Sequence, residues 1–391
     1  MHISDTLSMV GVDLKASWQA SRKVNNDTTV DKALKCISSW RAGKFMPLVC
    51  RPFSTNTYCL SKVWFRSSSV DLRVRDITEI SKKIKSYCYQ DLYQKPCEVT
   101  LYRPVEKGGL GLYHVASRAK ANLISTFIQT ACGKIFQQSL FHSWLYRYHV
   151  LREENLPNPG TPPYYGGTFF QTIREVNETT GFDPVHLTVK QWYQFIVERD
   201  VLLRKVDDED RMMTIPCKIE KRYPLTPWTD IYRLSRLKGL SSQSKSFLFK
   251  LVHEILPSNE RINHLNPNSS SLCRLNCGEV ESYEHLFFQC VSNSVAAEAL
   301  LRCLCVYDQS LTISRVLSLN IQTDECFELA ILSLLSSGLE LIWTRRLERK
   351  STNLVLMRSD LEWQVLLKRK SRNRRIGEAA NIMLNIIENN F

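Results

Sequence analysis

Residues 273–290, CRLNCGEVESYEHLFFQC, hold Cys273, Cys277, His285 and Cys290 in a C-x3-C-x7-H-x4-C spacing. Three thiolates and one imidazole are the ligand set of a closed, tetrahedral, structural zinc site. A set of four protein ligands leaves no open position for water, so the predicted role of Zn²⁺ is to fold the segment rather than to catalyse. Cys303 and Cys305 follow closely, which leaves a ligand exchange with one of them open. The segment HEIL at 253–256 begins like the hydrolase motif H-E-x-x-H, but Pro257 stands where the second histidine belongs, so a zinc hydrolase is disfavoured.

Two elements must present these ligands. Arg274-Leu275-Asn276 is a short turn between the first two cysteines, and Gly278 follows it, where a left-handed backbone costs little. A helix starting near Tyr283 is predicted to place His285 and Cys290 on roughly one side, with Leu286, Phe287 and Phe288 packing inward. A unit this small cannot bury enough apolar surface to fold alone, so the metal must supply the missing stability.

The rest of the chain sets the context. Its 391 residues suggest two or three domains, and 43% hydrophobic residues permit ordinary globular cores. No stretch approaches 18 uncharged apolar residues, so no membrane helix is predicted, and the first 30 residues lack a secretion-signal pattern. Thirteen irregularly spaced cysteines then read as reduced thiols of the nucleus or cytoplasm rather than a disulfide scaffold. Cys36, Cys50, Cys59, Cys88, Cys97, Cys132 and Cys217 are expected to be small buried residues. His114, His142, His149 and His186 are isolated and read as structural or surface residues, and Trp64, Trp192 and Trp343 as core.

The net charge of +13 is unevenly placed. Residues 1–130 carry 20 Lys/Arg against 10 Asp/Glu, and residues 343–391 carry 11 against 5, while 131–235 balance at 13 each and 236–342 hold 8 against 11. Positive charge confined to the two ends reads as two phosphate-facing surfaces.

The pattern is mainly α. A helix is predicted from Val30 to near Gly43, an apolar-periodic stretch over Asn56–Trp64, and a third helix from Val74 to about Leu92 with Ile77, Ile80, Ile84, Tyr87 and Cys88 on one face. Lys82, Lys83 and Lys85 on that third element, with Arg73 and Arg75 at its start, are the first set of predicted nucleic-acid contacts. Gly108, Gly109 and Gly111 break the pattern before a helix near Val115. The Pro/Gly-rich stretch at 155–167 reads as a seam, VDDED at 206–210 as an acidic surface loop, and Thr226 or Asp230 as a cap for a helix after Pro227. Helices are predicted over 243–256, Cys326–Lys350 and 354–370. In the last, Leu354, Leu361 and Val365 recur at helical spacing, so one face docks while Arg369, Lys370, Arg372, Arg374 and Arg375 stay available as the second set of contacts.

Three blocks in order resemble the C-terminal half of the reverse-transcriptase polyprotein of LINE-class, non-LTR retrotransposons. SSWRAGKFMPLVCRPFSTNTYCLSKVWFR at 38–66 is similar to the thumb, PVEKGGLGLYHVASRAKANLI at 104–124 to the family's GGLGL block, and FLFKLVHEILPSNERI at 247–262 with the cysteine–histidine run to its zinc-binding module. SMVGVDLKASW at 8–18 resembles the end of the palm. The resemblance implies a palm remnant at 1–29, a helical thumb-like bundle at 30–130, a helical connector at 131–235, a zinc knuckle module at 236–300 and a basic helical region at 301–391. It also implies RNA or DNA as partner, with no membrane and no small-molecule substrate. Polymerisation needs two metal ions held by clustered palm carboxylates. The family's aromatic-x-Asp-Asp hairpin does not occur in this sequence, and the Asp207-Asp208 pair lies downstream of the thumb-like block. The expectation is therefore a nucleic-acid-binding part of such an element, without polymerase activity of its own. The alternative is a domesticated zinc-dependent protein-interaction scaffold.

Overall fold

The computed structural model describes residues 7–9, 12–15, 18–42, 46–68, 70, 72–90, 92–131, 186–205, 212–214, 220–221, 226–306, 308–321 and 323–391. The stretches expected at 155–167 and 206–210, with Cys132, Cys217, His142 and His149, lie outside these residues. The chain divides into two compact units, Met1–Gln90 with Gly111–Ile215, and Asp91–Leu110 with Pro216–Phe391.

The fold is mainly α, as the periodicity predicts. In chain order the elements are β1 Leu7–Met9 and β2 Val12–Leu14, an antiparallel pair; α1 Trp18–Ala42; α2 Cys50–Ser54; a π-turn Thr55–Cys59; α3 Ser61–Ser67; α4 Val74–Cys88; α5 Glu98–Tyr102; α6 Val115–Ala131; and α7 Val189–Val197. Then follow the antiparallel pair β3 Leu203–Lys205 and β4 Met212–Thr214; α8 Trp228–Ser235; α9 Ser242–Val252; α10 Asn259–Leu265; a second π-turn His285–Gln289; α11 Ser294–Cys305; α12 Ile313–Leu317; α13 Glu325–Leu347; α14 Leu354–Arg369; and α15 Arg374–Asn390.

In the first unit, α1 packs on α3 and α4, and α6 packs on α3, α4 and α7. Helix α1 starts twelve residues before the expected Val30. Its buried stripe explains why. Ala33 and Ile37 continue a row that begins with Ser21, Asn25 and Thr29, all buried. The polar half is satisfied by β2 and its flank: Asn25 accepts from the Asp13 amide at 3.0 Å and donates to the Asp13 carbonyl at 2.7 Å, and the Lys15 amide donates to Ser21 Oγ at 2.7 Å. A buried polar stripe of this kind carries no hydrophobic periodicity. On α4, Ile80, Ile84, Tyr87 and Cys88 are buried as predicted, while Ile77 is half-buried. Trp192 is fully buried against Ile124 and Ile128, whereas Trp64 is half-buried.

The second unit is organised around α13. Residues 328–339 of that helix are buried on every side, which marks a central helix with no solvent face. Helices α9, α11, α14 and α15 surround it. Phe327–Leu347 is long and apolar enough by length and composition to cross a membrane, although Glu328 and Glu340 interrupt its apolar run, and 72% of its most apolar 18-residue window is buried inside the protein, as befits a core helix. Met357, Leu361 and Val365 form the docking face of α14, with Leu354 only half-buried. Trp343 packs half-buried against the same core.

Two expected boundaries move. The division at 300/301 falls inside α11, and residues on both sides of it share one hydrophobic core. Segment 91–110, expected within the thumb-like bundle, belongs instead to the second unit. Gly108, at φ +76°, lies against the Tyr232 ring, whose atoms a Cβ would meet at 2.4 Å. The Gly108 carbonyl lies 2.9 Å from His253 Nε2, Arg236 donates to the Gly109 carbonyl at 3.2 Å, and Arg103 pairs with Glu220 at 2.8 Å. Side-chain capping also differs from expectation at α8, whose cap is Pro227 with no side-chain hydrogen bond, while Ser241 caps α9.

Candidate metal centre

An antiparallel bridge between Leu272 and Val280 folds the chain back on itself and makes the first arm of the centre. The Cys273 amide donates to the Glu279 carbonyl at 2.8 Å, and the Asn276 amide to the Cys273 carbonyl at 3.1 Å. The reversal requires left-handed backbone at Asn276 (φ 58°) and Gly278 (φ 88°), residues that tolerate it. The Leu275 amide points at Cys273 Sγ from 3.4 Å, a donor that stabilises negative charge on sulfur.

The second arm departs from the expected α-helix. Residues His285–Gln289 form a π-turn closed by the Cys290 amide donating to the His285 carbonyl at 2.7 Å. In an α-helix, side chains five apart diverge by about 140°. The i→i+5 bond of a π-turn brings such positions closer to line, so His285 and Cys290 meet because the helix is wound wider. Ser282 Oγ accepts from the His285 amide at 3.0 Å and starts the turn. Leu286 and Phe287 are fully buried and Phe288 nearly so, as predicted, which anchors the turn in the core.

The four ligand atoms lie within 4.8 Å of one another. Cys273 Sγ and Cys290 Sγ are 3.9 Å apart, Cys290 Sγ and Cys277 Sγ 4.0 Å, and Cys277 Sγ and His285 Nε2 3.1 Å. A tetrahedron of 2.3 Å zinc–sulfur bonds has sulfur–sulfur edges of roughly 3.8 Å, so the cluster has the size of a bound ion. Cys273, His285 and Cys290 are buried and Cys277 is half-buried. Burial pushes the Cys273 thiol up to about 12, and raises Cys290 as well, so without a cation these sulfurs hold their protons. No carboxylate belongs to the cluster. Cys303, open as an alternative ligand in the sequence, is buried in the apolar core, and Cys305 also lies outside the four. The arrangement can hold a metal ion in a closed site.

The group that fastens this loop to the core is absent from the sequence-based expectations. Arg346 and Glu281 form an ion pair with both side chains fully buried. Arg346 Nε also donates to Glu281 Oε2 at 3.2 Å, and its Nη2 to the Pro257 carbonyl at 3.2 Å and Asn259 Oδ1 at 3.1 Å, while its guanidinium lies 4.7 Å from the Trp343 ring centre. Glu281 in turn accepts from the backbone amides of Asn259 at 2.8 Å and Arg274 at 3.0 Å. By periodicity Arg346 belongs to a basic helix end, and its partner lies 65 residues away, so no local signal marks the pair.

The predicted phosphate contacts fare unequally. Arg73 is engaged by Asp76, whose side chain is 3% exposed, at 2.6 Å, and by Asp27. Arg75 reaches the same two acids at 3.4 and 3.9 Å. Lys82 is exposed, and Lys83 and Lys85 are half-buried. Arg369, Lys370, Arg372, Arg374 and Arg375 are all exposed around the turn between α14 and α15, and among the described residues only Arg374 of these five forms an ion pair, with Glu378 at 2.8 Å. Of the cysteines expected to be buried, Cys59 and Cys88 are, Cys36 and Cys50 are half-buried, and Cys97 is exposed. Among the histidines, His114 Nδ1 lies 2.8 Å from Ser117 Oγ, and His186 is exposed. His253 is enclosed by Tyr232, Phe249 and the Gly108 carbonyl, and burial drives its imidazole down to about 3.

No family model matches the sequence, and no curated protein matches it.

Proposed function

We propose that this chain is a zinc-stabilised, helical nucleic-acid-binding protein, related to the C-terminal part of a non-LTR retrotransposon reverse transcriptase and without polymerase activity of its own. Zn²⁺ held by Cys273, Cys277, His285 and Cys290 would tie the two ligand arms together, and those arms share a core with the helices that carry the basic cluster. The observation that carries the reading is the α14–α15 turn. Arg374 and Arg375 occupy the first turn of α15, where the helix dipole is already positive, and Arg369, Lys370 and Arg372 crowd the same edge. Cations at a helix N-terminus are locally unfavourable. A phosphate there would satisfy both the arginines and the positive end of the helix. Long flexible cations of this kind hold a backbone rather than read bases, so the binding is expected to be largely independent of sequence.

The test is binding of fluorescent single-stranded and duplex RNA and DNA by the zinc-loaded chain across a salt series. A steep fall of affinity with salt supports the reading, since each neutralised phosphate contributes about 0.7–0.9 to the log–log slope. Absence of binding at low salt overturns it. Primer extension with Mg²⁺ and with Mn²⁺ should give no template-dependent product.

A second reading, a protein-interaction scaffold, draws on the outer face of α14, where Val355, Trp363, Leu366 and Leu367 are exposed. Binding that resists salt and is lost in Trp363→Ser would favour it.

A further inference from the structure

Outside the metal centre, a second pair of sulfurs stands close together. Cys59, at the end of the first π-turn, points its thiol at Cys36 Sγ on α1 from 3.3 Å. Cys36 Sγ also lies 3.5 Å from the Tyr58 carbonyl. Cys59 is fully buried and Cys36 is half-buried, so one member of the pair meets solvent and the other stands behind it. The ring of Trp40, one helical turn after Cys36, stacks on Tyr58 with centroids 5.4 Å apart, so the two segments are already held face to face.

We propose that Cys36 and Cys59 form a redox-active dithiol that closes to an intramolecular disulfide when a hydroperoxide reaches Cys36. The sulfurs must approach by about 1.3 Å to reach the 2.05 Å disulfide distance. A π-turn is a single widened turn set into a helix, so a small rewinding of one turn suffices for that adjustment.

The chemistry runs in two steps. The Cys36 thiolate attacks the peroxide: a sulfur–oxygen bond forms, the oxygen–oxygen bond breaks, and the departing hydroxide takes a proton to leave as water. Cys59 then attacks the sulfenic sulfur: the disulfide forms, the sulfur–oxygen bond breaks, and hydroxide leaves with the Cys59 proton as a second water. Two thiols are oxidised by two electrons and one hydrogen peroxide is reduced to two waters. The division of roles follows from exposure. Burial raises the Cys59 thiol above its ordinary value, which makes it the poorer first nucleophile toward peroxide and leaves that step to Cys36. Cys88 also interacts with Cys59, but it is engaged by Thr55 and buried, where burial also raises its thiol. The product would fasten α1 to the π-turn across 23 residues and fix the Trp40–Tyr58 pair.

The experiment treats the zinc-loaded, reduced full chain with one equivalent of hydrogen peroxide, quenches the peroxide, unfolds the protein in denaturant with N-ethylmaleimide to block every remaining thiol, and maps the peptides. The expected principal product is a peptide linked through Cys36 and Cys59, lighter by roughly 2 Da and restored by dithiothreitol. In Cys59→Ser, Cys36 should accumulate as a sulfenic acid trapped by dimedone. In Cys36→Ser, which changes only the half-exposed member, Cys59 should remain alkylatable after the same dose. Recovery of both cysteines as maleimide adducts while other thiols have oxidised would overturn the proposal. So would Cys36 paired to any cysteine other than Cys59.

Discussion

Two basic clusters that look alike in sequence are built differently. Before and along α4, Arg73 and Arg75 stand beside three lysines, yet both arginines bind Asp76 and Asp27. Asp27 lies on α1, 46 residues from Arg73. At the α14–α15 turn five cations fall within seven residues, all exposed, and an i,i+4 pair between Arg374 and Glu378 is their only ion pair among the described residues. The lesson is that a count of Lys and Arg measures charge, not availability. Asp27, brought in from a distant helix, and Asp76, on α4 itself, subtract from one cluster, while among the described residues no comparable acids close on the other. Arg346 makes the same point in the extreme: it contributes to the basic tally of residues 343–391, and it is wholly buried.

The sharpest way to separate the clusters is to remove the metal. Cys277→Ser should abolish stoichiometric zinc and loosen the second unit, because structural zinc contributes about 10–16 kcal/mol in small fingers and the candidate site shares the core of α9, α11 and α13. Hydrogen exchange should rise across residues 247–300 and stay low in α1 and α4. Metal analysis finding no zinc in protein purified without chelator would contradict the assignment.

Breaking the buried pair should come next. Arg346→Met strands Glu281 without its countercharge, and such losses cost roughly 3–5 kcal/mol. Denaturant unfolding of the second unit should show a drop of that order. Arg346→Met with Glu281→Gln should recover part of it, and an equal loss in both variants would mean the pair is not the fastening it is taken to be.

A smaller, pH-dependent effect belongs to His253. Its folded imidazole is held down to about 3 by burial, below the ordinary value of 6.5. The unfolded chain therefore binds the proton first, and stability is full above about pH 6.5 and falls as pH drops toward 3, by at most about 1.4 kcal/mol per unit. Burial acts oppositely on Glu340, lifting it to about 7 from 4.5, which adds stability as pH falls through that window and masks part of the loss. His253→Gln keeps a donor for the Gly108 carbonyl and should flatten the acid limb. An unchanged limb would show that other groups set it.

Much of the fold was legible because it follows apolar periodicity. The buried faces of α4 and α14 and the four residues of the candidate metal centre could be read directly from residue type and spacing. What escaped has physical causes. The first half of α1 buries Ser21, Asn25 and Thr29 rather than apolar residues. The wide winding at 285–289 depends on the i→i+5 bond, which spacing alone does not distinguish from an α-helix. Segment 91–110 joins the second unit through the close approach of Gly108 to Tyr232 and through Arg103–Glu220, partners separated by more than a hundred residues of chain.

The difference between the two basic clusters is tested most directly by the salt dependence of nucleic-acid affinity in two matched variants. One replaces Arg369, Lys370, Arg372, Arg374 and Arg375 with Ala, and the other replaces Lys82, Lys83 and Lys85. Each phosphate interaction removed should lower the log–log slope by about 0.7–0.9. The expected result is a large fall in affinity and slope for the first variant, with zinc content unchanged, and a small fall for the second. Equal binding by the first variant and the unaltered chain at low and moderate salt would contradict it.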